Sequence, residues 1–171
     1  MIYTLLEPDH PLLSTALPEI TAETEPESRQ ELLDNMVETM KHYGGIGLSA
    51  NQCGIPIRMF VFGDNNNYVP CFNPRIIKTA GERIPIEEGC LTYPGLFVKI
   101  FRPESVTATF EDENRELHEE TFTGLMARVF LHEMDHMDGI DFTSRAGKMA
   151  LDIAKRKRLR GQRKLKKMQE N

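Results

Sequence analysis

An apolar stripe with helical spacing predicts a helix near the start of the chain. Its members are Leu32, Leu33, Met36, Val37 and Met40. Ser28 and Glu31 have the form of a capping box, so we expect the helix to begin beside Ser28 and to stop near Tyr43, where two glycines follow. Residues 1–27 contain four prolines and are expected to form an extended lead-in on the surface.

Runs of branched and aromatic residues predict short strands in the middle of the chain. The predicted strands are 58–62, 68–72, 75–78, 96–101, 105–111 and 116–121. Turn-forming residues separate several of them, at 63–67, at Asn73-Pro74 and at 112–115, where a hairpin turn is expected. Segment 87–95 is expected to be a loop. The middle of the chain therefore predicts β structure built from several short pieces.

A second apolar stripe leads into the short motif HEMDH. The stripe consists of Leu125, Met126, Val129 and Phe130. Thr123 can cap the start of this helix, and Gly139 should end it. Residues four apart share one face of a helix, so the imidazoles of His132 and His136 can bind one ion. With Glu133 placed to handle the proton of a water molecule, the motif is typical of metal-assisted hydrolysis.

A third metal ligand would distinguish such a site from an ordinary amphipathic helix with two partly exposed histidines. No histidine follows His136, and Phe142 stands where an extended zinc-protease motif has its third histidine. The ligand must therefore come from upstream, and the candidates are many acids together with Cys90, Cys53, Cys71, His10, His42 and His118. Cys90 is favoured because its glycine-containing loop can present the sulfur, and a nearby cation stabilises a thiolate. The other two cysteines are expected to be small buried residues and the three upstream histidines to lie on the surface.

A glycine-rich segment, GGIGLSANQ, follows the first helix at 44–52. Three glycines in four residues indicate unusual backbone angles or the close approach of another backbone. The segment is either a helix end followed by a turn or a substrate-facing stretch with Gln52 aimed into a site. It lacks the Lys-Ser/Thr pair of a phosphate-binding loop, which argues against nucleotide binding.

Composition places these elements in an ordinary globular protein. The chain has 171 residues, of which 40% are hydrophobic and 27% charged, which fits one domain, with or without an appendage. No apolar run approaches the roughly 20 residues that span a bilayer, so no membrane partner is expected. The N-terminus does not resemble a signal peptide, and three widely spaced cysteines favour a reducing cytoplasm over a disulfide framework.

The charge is unevenly distributed along the chain. Residues 148–171 carry ten Lys/Arg and two acids, whereas residues 1–147 carry 11 Lys/Arg and 24 acids, and the total is −5. We expect a basic helix from Lys148 to about Gln169, as an extension of a domain that ends at residue 147. This helix is either a solvated charged surface or a contact for an anionic partner.

Three motifs taken together resemble the signature of the peptide deformylase family. They are GIGLSANQ at 45–52, EGCLTYPG at 88–95 and HEMDHMDG at 132–139, in the family's order and with similar gaps. The family usually has Ala, Ser, Gln and Leu at the four positions that hold Ser49, Thr92, Leu131 and Met137 here. The resemblance implies an α+β fold with mixed or antiparallel sheets around the HExxH helix, an N-terminal helix and a C-terminal basic helix.

The resemblance implies a metal-dependent hydrolase. Such enzymes remove the N-formyl group from the N-terminal methionine of newly made proteins and release formate. The implied ligands are Cys90, His132 and His136 on one divalent ion, usually Fe²⁺, with Zn²⁺, Ni²⁺ or Co²⁺ able to replace it. Glu133 would act as general base and then as general acid. The Gln52 side-chain amide and the Leu91 backbone N–H would stabilise the negative charge on the formyl oxygen.

Further residues are expected to bind the peptide. The backbone at Ile46, Gly47 and Gly89 can pair with an extended substrate, and Leu125 and Val129 are candidates to line the methionine pocket. Arg128 lies one turn before His132. Its side chain either covers the pocket with its stem or reaches solvent, and we favour the second placement.

The expected partners are formyl-methionyl nascent peptides, and some members of the family dock on the ribosome through a basic C-terminal helix. No DNA partner is expected. The expected location is the cytoplasm of a bacterium, or of a host cell if a phage encodes the chain. The alternatives are a zincin-type metallopeptidase and a protein that binds RNA or the ribosome and keeps a vestigial metal site.

Overall fold

Three α-helices and five strands make up the regular structure of the described residues, 1–64 and 67–169, in this computed structural model. The helices are α1 Arg29–His42, α2 Gly124–Met137 and α3 Lys148–Gln169. The strands are β1 Gly47–Ser49, β2 Met59–Asp64, β3 Asn67–Gly89, β4 Phe97–Glu111 and β5 Leu117–Thr123. Short 3-10 helices cover Pro11–Ser14, Ala50–Cys53 and Phe142–Arg145. None of the described helices combines the length and the apolar character that a membrane crossing needs.

All five strands belong to one sheet with the order β1-β2-β3-β4-β5, and every neighbouring pair is antiparallel. The predicted α+β fold is therefore confirmed, and its sheet is of the antiparallel type. β3 and β4 form a long hairpin in which Gly89 lies opposite Phe97. The hairpin delivers Cys90, the next residue along the chain, to the neighbourhood of α2.

Two predicted breaks between strands are wrong. β3 continues through Asn73-Pro74 and takes in residues 87–89, which were expected in a loop, and β4 joins the predicted strands 96–101 and 105–111. The register between β3 and β4 shifts at three places, so bulges absorb the turn-forming residues without ending the pairing. In the predicted turn at 63–67, Gly63 and Asp64 belong to β2 and Asn67 belongs to β3. Residues 65–66 lie outside the described part of the chain.

The ends of the first two helices follow local signals. Ser28 caps α1, where its hydroxyl oxygen accepts the N–H of Glu31 at 3.1 Å, and the helix ends beside Tyr43 as predicted. α2 ends at Met137, and Gly139 follows with φ 67, a left-handed angle that suits glycine. Thr123 does occupy the N-cap position of α2, but the predicted capping bond is wrong because its side chain makes none.

α2 lies against the inner face of the sheet. Its apolar side chains pack with residues of β2 and β4, including Phe60, Phe62, Val106, Ala108 and Phe110. Every residue from Ala127 to Met137 is buried, and His132 and His136 expose only 7% and 5% of their surface. An ordinary helix with partly exposed histidines is therefore excluded. Buried charged groups are costly unless they find partners, so the polar residues of the motif must be paired inside the protein.

α3 divides into a packed and an exposed part. Ala150 and Ala154 in its first turns join a hydrophobic cluster with Leu96, Val98, Ile100 and Phe142. From Leu159 to Met168 every residue is exposed. The predicted basic helix is therefore present, with its first half on the body of the protein and its second half in solvent.

Candidate metal centre

Three side chains that can hold a metal meet between the end of β3 and α2. The sulfur of Cys90 and one ring nitrogen each of His132 and His136 all lie within 4.8 Å of one another. The Sγ of Cys90 is 3.3 Å from Nε2 of His136. One thiolate and two imidazoles suit several divalent transition metals, so the residues fit the ion that the family resemblance implies.

The other candidates for the third ligand lie elsewhere. Cys71 is fully buried in the main core and Cys53 is half-buried, as small apolar residues are. His10 and His42 are exposed. His118 is half-buried, with its Nε2 2.9 Å from the carboxylate of Asp112 at the β4-β5 hairpin.

The pKa values of Cys90 and His132 indicate that the site stabilises a positive charge. Burial opposes ionisation of Cys90, but the charge of His136 and hydrogen bonds with both histidines outweigh it and hold the pKa of the thiol well below its usual range. Although burial lowers it, the pKa of His132 is raised to about 10 by hydrogen bonds with Cys90 and Glu88. A divalent cation would supply the positive charge that the thiolate attracts.

Glu133 is enclosed beside the three candidate ligands. The residue is 3% exposed, and its Oε2 has no hydrogen-bond partner among the described residues. Burial raises the pKa of this carboxyl group to about 7, against the opposing charges of His132 and His136. Unpaired buried carboxylate oxygens are rare and need an explanation. A carboxyl group with this pKa can both accept and donate a proton near neutral pH.

A buried carboxylate that the sequence reasoning missed holds His132 in place. Glu88 accepts hydrogen bonds from Nε and Nη2 of Arg102 at 2.7 and 3.0 Å and from Nη1 of Arg128 at 2.6 Å. Its Oε2 lies 3.1 Å from Nδ1 of His132. A partner on Nδ1 fixes the imidazole and leaves Nε2 free for a metal. Burial alone would raise the pKa of Glu88, but the bonds from His132 and Arg102 lower it to about 2.

The expectation that Arg128 reaches solvent is wrong. Its side chain is 5% exposed, and besides Glu88 it donates from Nη1 to the carbonyl oxygen of Ile100 at 2.9 Å. It also donates to the carbonyl oxygen of Ile84. The arginine turns inward because the β3-β4 hairpin covers this face of α2 and offers a carboxylate and two carbonyl groups.

The same ion-pair network continues to the surface through Asp135. Arg102 donates from Nη1 to Asp135 at 2.9 Å, and Arg145, near the start of α3, donates to the other oxygen at 2.7 Å. One signal in the sequence pointed to Arg102. Val98 and Ile100 are alternate buried positions of β4, so the next alternate residue also faces inward.

The two predicted donors to the formyl oxygen lie beside Cys90. Nε2 of Gln52 is 3.4 Å from the sulfur, in a side chain that is 2% exposed. Leu91 directly follows Cys90, and its backbone N–H has no acceptor among the described residues. Both N–H groups therefore lie near the candidate metal ligands, where they can donate a hydrogen bond to the oxygen of a bound formyl group.

The predicted peptide-binding residues fall into two groups. Gly47 lies against both Glu133 and Val129, because a Cβ on Gly47 would collide with Oε1 of Glu133 and come within 2.8 Å of Cγ1 of Val129. Gly89 precedes Cys90 and lies beneath the ring of Phe97. Ile46 and Leu125 are 41% and 57% exposed, outside the enclosed part of the site.

Gly47→Ala is expected to lower kcat for the hydrolysis of a formyl peptide by about tenfold and the free energy of unfolding by about 1–3 kcal/mol. The atoms nearest to the added Cβ belong to the buried side chains of Glu133 and Val129, which would have to move. The measurement is formate release together with thermal unfolding. Gly161→Ala is a matched control, since a Cβ there meets nothing within 4 Å. Equal activity in both variants would show that the position of the carboxylate is not critical.

Comparisons with known proteins agree on one family. A family model described as Polypeptide deformylase matches residues 2–151. A curated relative from Thermotoga neapolitana, named peptide deformylase, is 41% identical over 133 residues, which are 78% of this chain and 80% of the relative.

Solved structures of the same family have a similar fold. The peptide deformylase from Legionella pneumophila has a TM-score of 0.83 at 31% identity, and the match covers 100% of this chain and 99% of that chain. The enzyme from Synechococcus elongatus, in complex with actinonin, has a TM-score of 0.84 at 31% identity over 91% of this chain and 85% of that chain. On this evidence, the chain belongs to the peptide deformylase family.

Proposed function

We propose that Cys90, His132 and His136 hold one divalent metal ion and that Glu133 moves the proton when the chain hydrolyses a formyl amide. As a member of its family, the chain is a metal-dependent hydrolase that removes the N-formyl group from the N-terminal methionine of newly made proteins. One observation carries the assignment of residues. The sulfur of Cys90, two buried imidazoles and an unpaired, buried carboxylate oxygen of Glu133 lie together.

The roles of the side chains follow from their contacts. When bound, a divalent ion supplies a Lewis acid that polarises a carbonyl group and makes water more acidic. Glu133 accepts a proton from the attacking water and returns it to the amine nitrogen as the C–N bond breaks, which yields formate and a free amine. The amide of Gln52 and the N–H of Leu91 donate to the formyl oxygen as its negative charge grows. Glu88 holds His132 so that one ring nitrogen stays available.

We assign the peptide to the side of the site formed by β1 and the end of β3. The backbone at Ile46, Gly47 and Gly89 can pair with an extended chain, since β1 and this part of β3 have one neighbouring strand each in the sheet. Leu125 and Val129 would line the pocket for the methionine side chain. The exposure of Ile46 and Leu125 agrees with contacts to an incoming ligand.

Formate release from a formyl-Met-Ala peptide tests the function. The wild-type protein should release formate, and actinonin, which the Synechococcus elongatus relative binds, should inhibit the release. A zincin-type peptidase would instead give internal cleavage products without formate. We propose Fe²⁺ as the native ion because it is the usual ion of the family. Zn²⁺, Ni²⁺ or Co²⁺ are proposed as substitutes because one sulfur and two nitrogens suit all four ions. Metal analysis of protein purified without oxygen would identify the ion.

We further propose that residues 148–171 form an extension of a catalytic domain at 1–147 and that its exposed half contacts the ribosome. The supporting observation is the dense positive charge on a helix whose residues from Leu159 to Met168 all face solvent. Contacts with RNA phosphates depend strongly on salt, so binding should weaken steeply as the salt concentration rises. A reducing cytoplasm, bacterial or that of a phage host, agrees with three free cysteines.

Deleting residues 159–171 is expected to leave kcat/KM for a small formyl peptide within about twofold of the wild-type value. The deleted residues make no part of the hydrophobic cluster around Ala154 and Phe142, so the metal centre should be undisturbed. Ribosome binding, measured by co-sedimentation at low salt, should be lost. A large drop in kcat/KM for the formyl peptide would contradict the division into a catalytic domain and an extension. Unchanged co-sedimentation with ribosomes would contradict the ribosome contact.

A further inference from the structure

The side-chain amide of Gln52 is held from both ends. Its Oε1 accepts the backbone N–H of Ser49 at 3.0 Å and the Ser49 hydroxyl at 2.9 Å. Its Nε2 donates to Oγ1 of Thr92 at 2.9 Å. Ser49, Gln52 and Thr92 are 0%, 2% and 5% exposed, so water does not compete for these bonds.

The backbone N–H of Ser49 decides which way the amide points. A backbone N–H can only donate, so the oxygen of Gln52 must face it and the NH₂ group must face Thr92 and Cys90. The reverse orientation would set two donors against each other, the NH₂ group of Gln52 and the backbone N–H of Ser49. Ser49 contributes less through its hydroxyl, whose oxygen is also 2.8 Å from Oδ1 of Asn51, so that its single proton is shared between two acceptors.

We propose that Thr92 is a positioning residue for Gln52. The NH₂ group has two protons, and the hydroxyl of Thr92 accepts one of them. The second is thereby directed to the side of Cys90, where the structure places Nε2 at 3.4 Å from the sulfur. Because a β-branched side chain has few rotamers, Thr92 holds this acceptor in place. The inference rests on the proposed role of Gln52 as a donor to the formyl oxygen.

Thr92→Val tests the proposal, since valine keeps the shape and removes the acceptor. We expect kcat to fall by about tenfold and KM to change little, because a donor that is misplaced but present costs less than the 10²–10³ of a lost donor. Thr92→Ser, which restores the hydroxyl, should return kcat to within about threefold of the wild-type value. Thr92→Ala serves as a second variant if valine impairs folding. Thr109→Val on β4, outside the site, is the matched control.

A double-mutant cycle separates a positioning role from a structural one. If Thr92 acts through Gln52, Thr92→Val should have no further effect on kcat in a Gln52→Ala background. Independent losses in the two variants would overturn the proposal. A Gln52→Ala variant with wild-type kcat would instead refute the proposed role of Gln52, and a wild-type protein without formate release would refute the proposed function.

The orientation of the amide can also be read without turnover. In the zinc-loaded, isotope-labelled protein, the NMR signal pair of the Gln52 NH₂ group is identified by its loss in Gln52→Ala. We expect Thr92→Val to shift this pair and Thr92→Ser to leave it near its original place, with equal zinc content in all variants. An unmoved pair in Thr92→Val would show that the hydroxyl does not hold the amide and would overturn the inference.

Discussion

Glu133→Gln is expected to lower kcat for formate release by about 10³ while the metal content stays at the wild-type level. Glutamine keeps the size of the side chain but cannot take up or return a proton. The carboxyl group is suited to both steps because burial raises its pKa to about 7. Metal content and formate release should be measured on the same preparation, so that loss of turnover is not mistaken for loss of the ion.

Glu119→Gln on β5 is a matched control for this experiment, since the same substitution at an exposed position should leave both quantities unchanged. Two outcomes would contradict the assigned role of Glu133. A variant that keeps most of its turnover would mean that another group moves the proton. A variant that loses its metal would mean that Glu133 supports the ligands and not the chemistry.

Glu88→Gln is expected to lower the free energy of unfolding by about 3–5 kcal/mol and the metal affinity by about 10- to 100-fold. The substitution removes a negative charge that four hydrogen bonds satisfy inside the protein. Arg102 and Arg128, which are 6% and 5% exposed, would keep their charges without this partner. Urea unfolding of the metal-loaded protein and competition with a chelator measure the two effects.

The neighbouring residue supplies the control for the Glu88 prediction. Glu87 lies opposite Lys99 in the β3-β4 hairpin and is exposed, so Glu87→Gln should change the unfolding free energy by less than about 1 kcal/mol. Similar losses in the two variants would show that general charge, and not the buried network, determines the stability. An unaffected metal affinity in Glu88→Gln would show that the contact with His132 does not support the ligand.

The helix boundaries could be predicted because their signals are local. Ser28 and Glu31 precede an apolar stripe, and Gly139 takes a left-handed angle after α2. The course of β3 could not be predicted in this way. Asn73 and Pro74 form a turn in most contexts, but here Asn73 hydrogen-bonds the backbone of Ile20 and the pairing with β4 resumes beyond a bulge. A contact 53 residues away in sequence thus overrides a local preference.

The residues of the candidate site also divide into those that a local sequence signal predicts and those that only tertiary contacts determine. Cys90, Gln52 and the two histidines stand in short motifs whose residue types indicate metal chemistry by themselves. The buried network of Glu88, Arg102 and Arg128 contains no such motif, because charged residues in a sequence are usually solvated. Only the alternation of buried positions along β4 points to Arg102. These three residues become buried only when the β3-β4 hairpin folds over α2. The hydrogen bonds that then form between them offset the cost of burying their charges.

Metal content is the most direct test of the proposed centre. Wild-type protein and two cysteine variants, all purified without oxygen, should be compared for bound metal and for formate release. We predict about one divalent ion per chain in the wild type and in the control Cys53→Ala, and almost none, with no formate, in Cys90→Ala. A Cys90→Ala variant that retains the ion and the activity would contradict the assignment of Cys90, His132 and His136 as the metal centre.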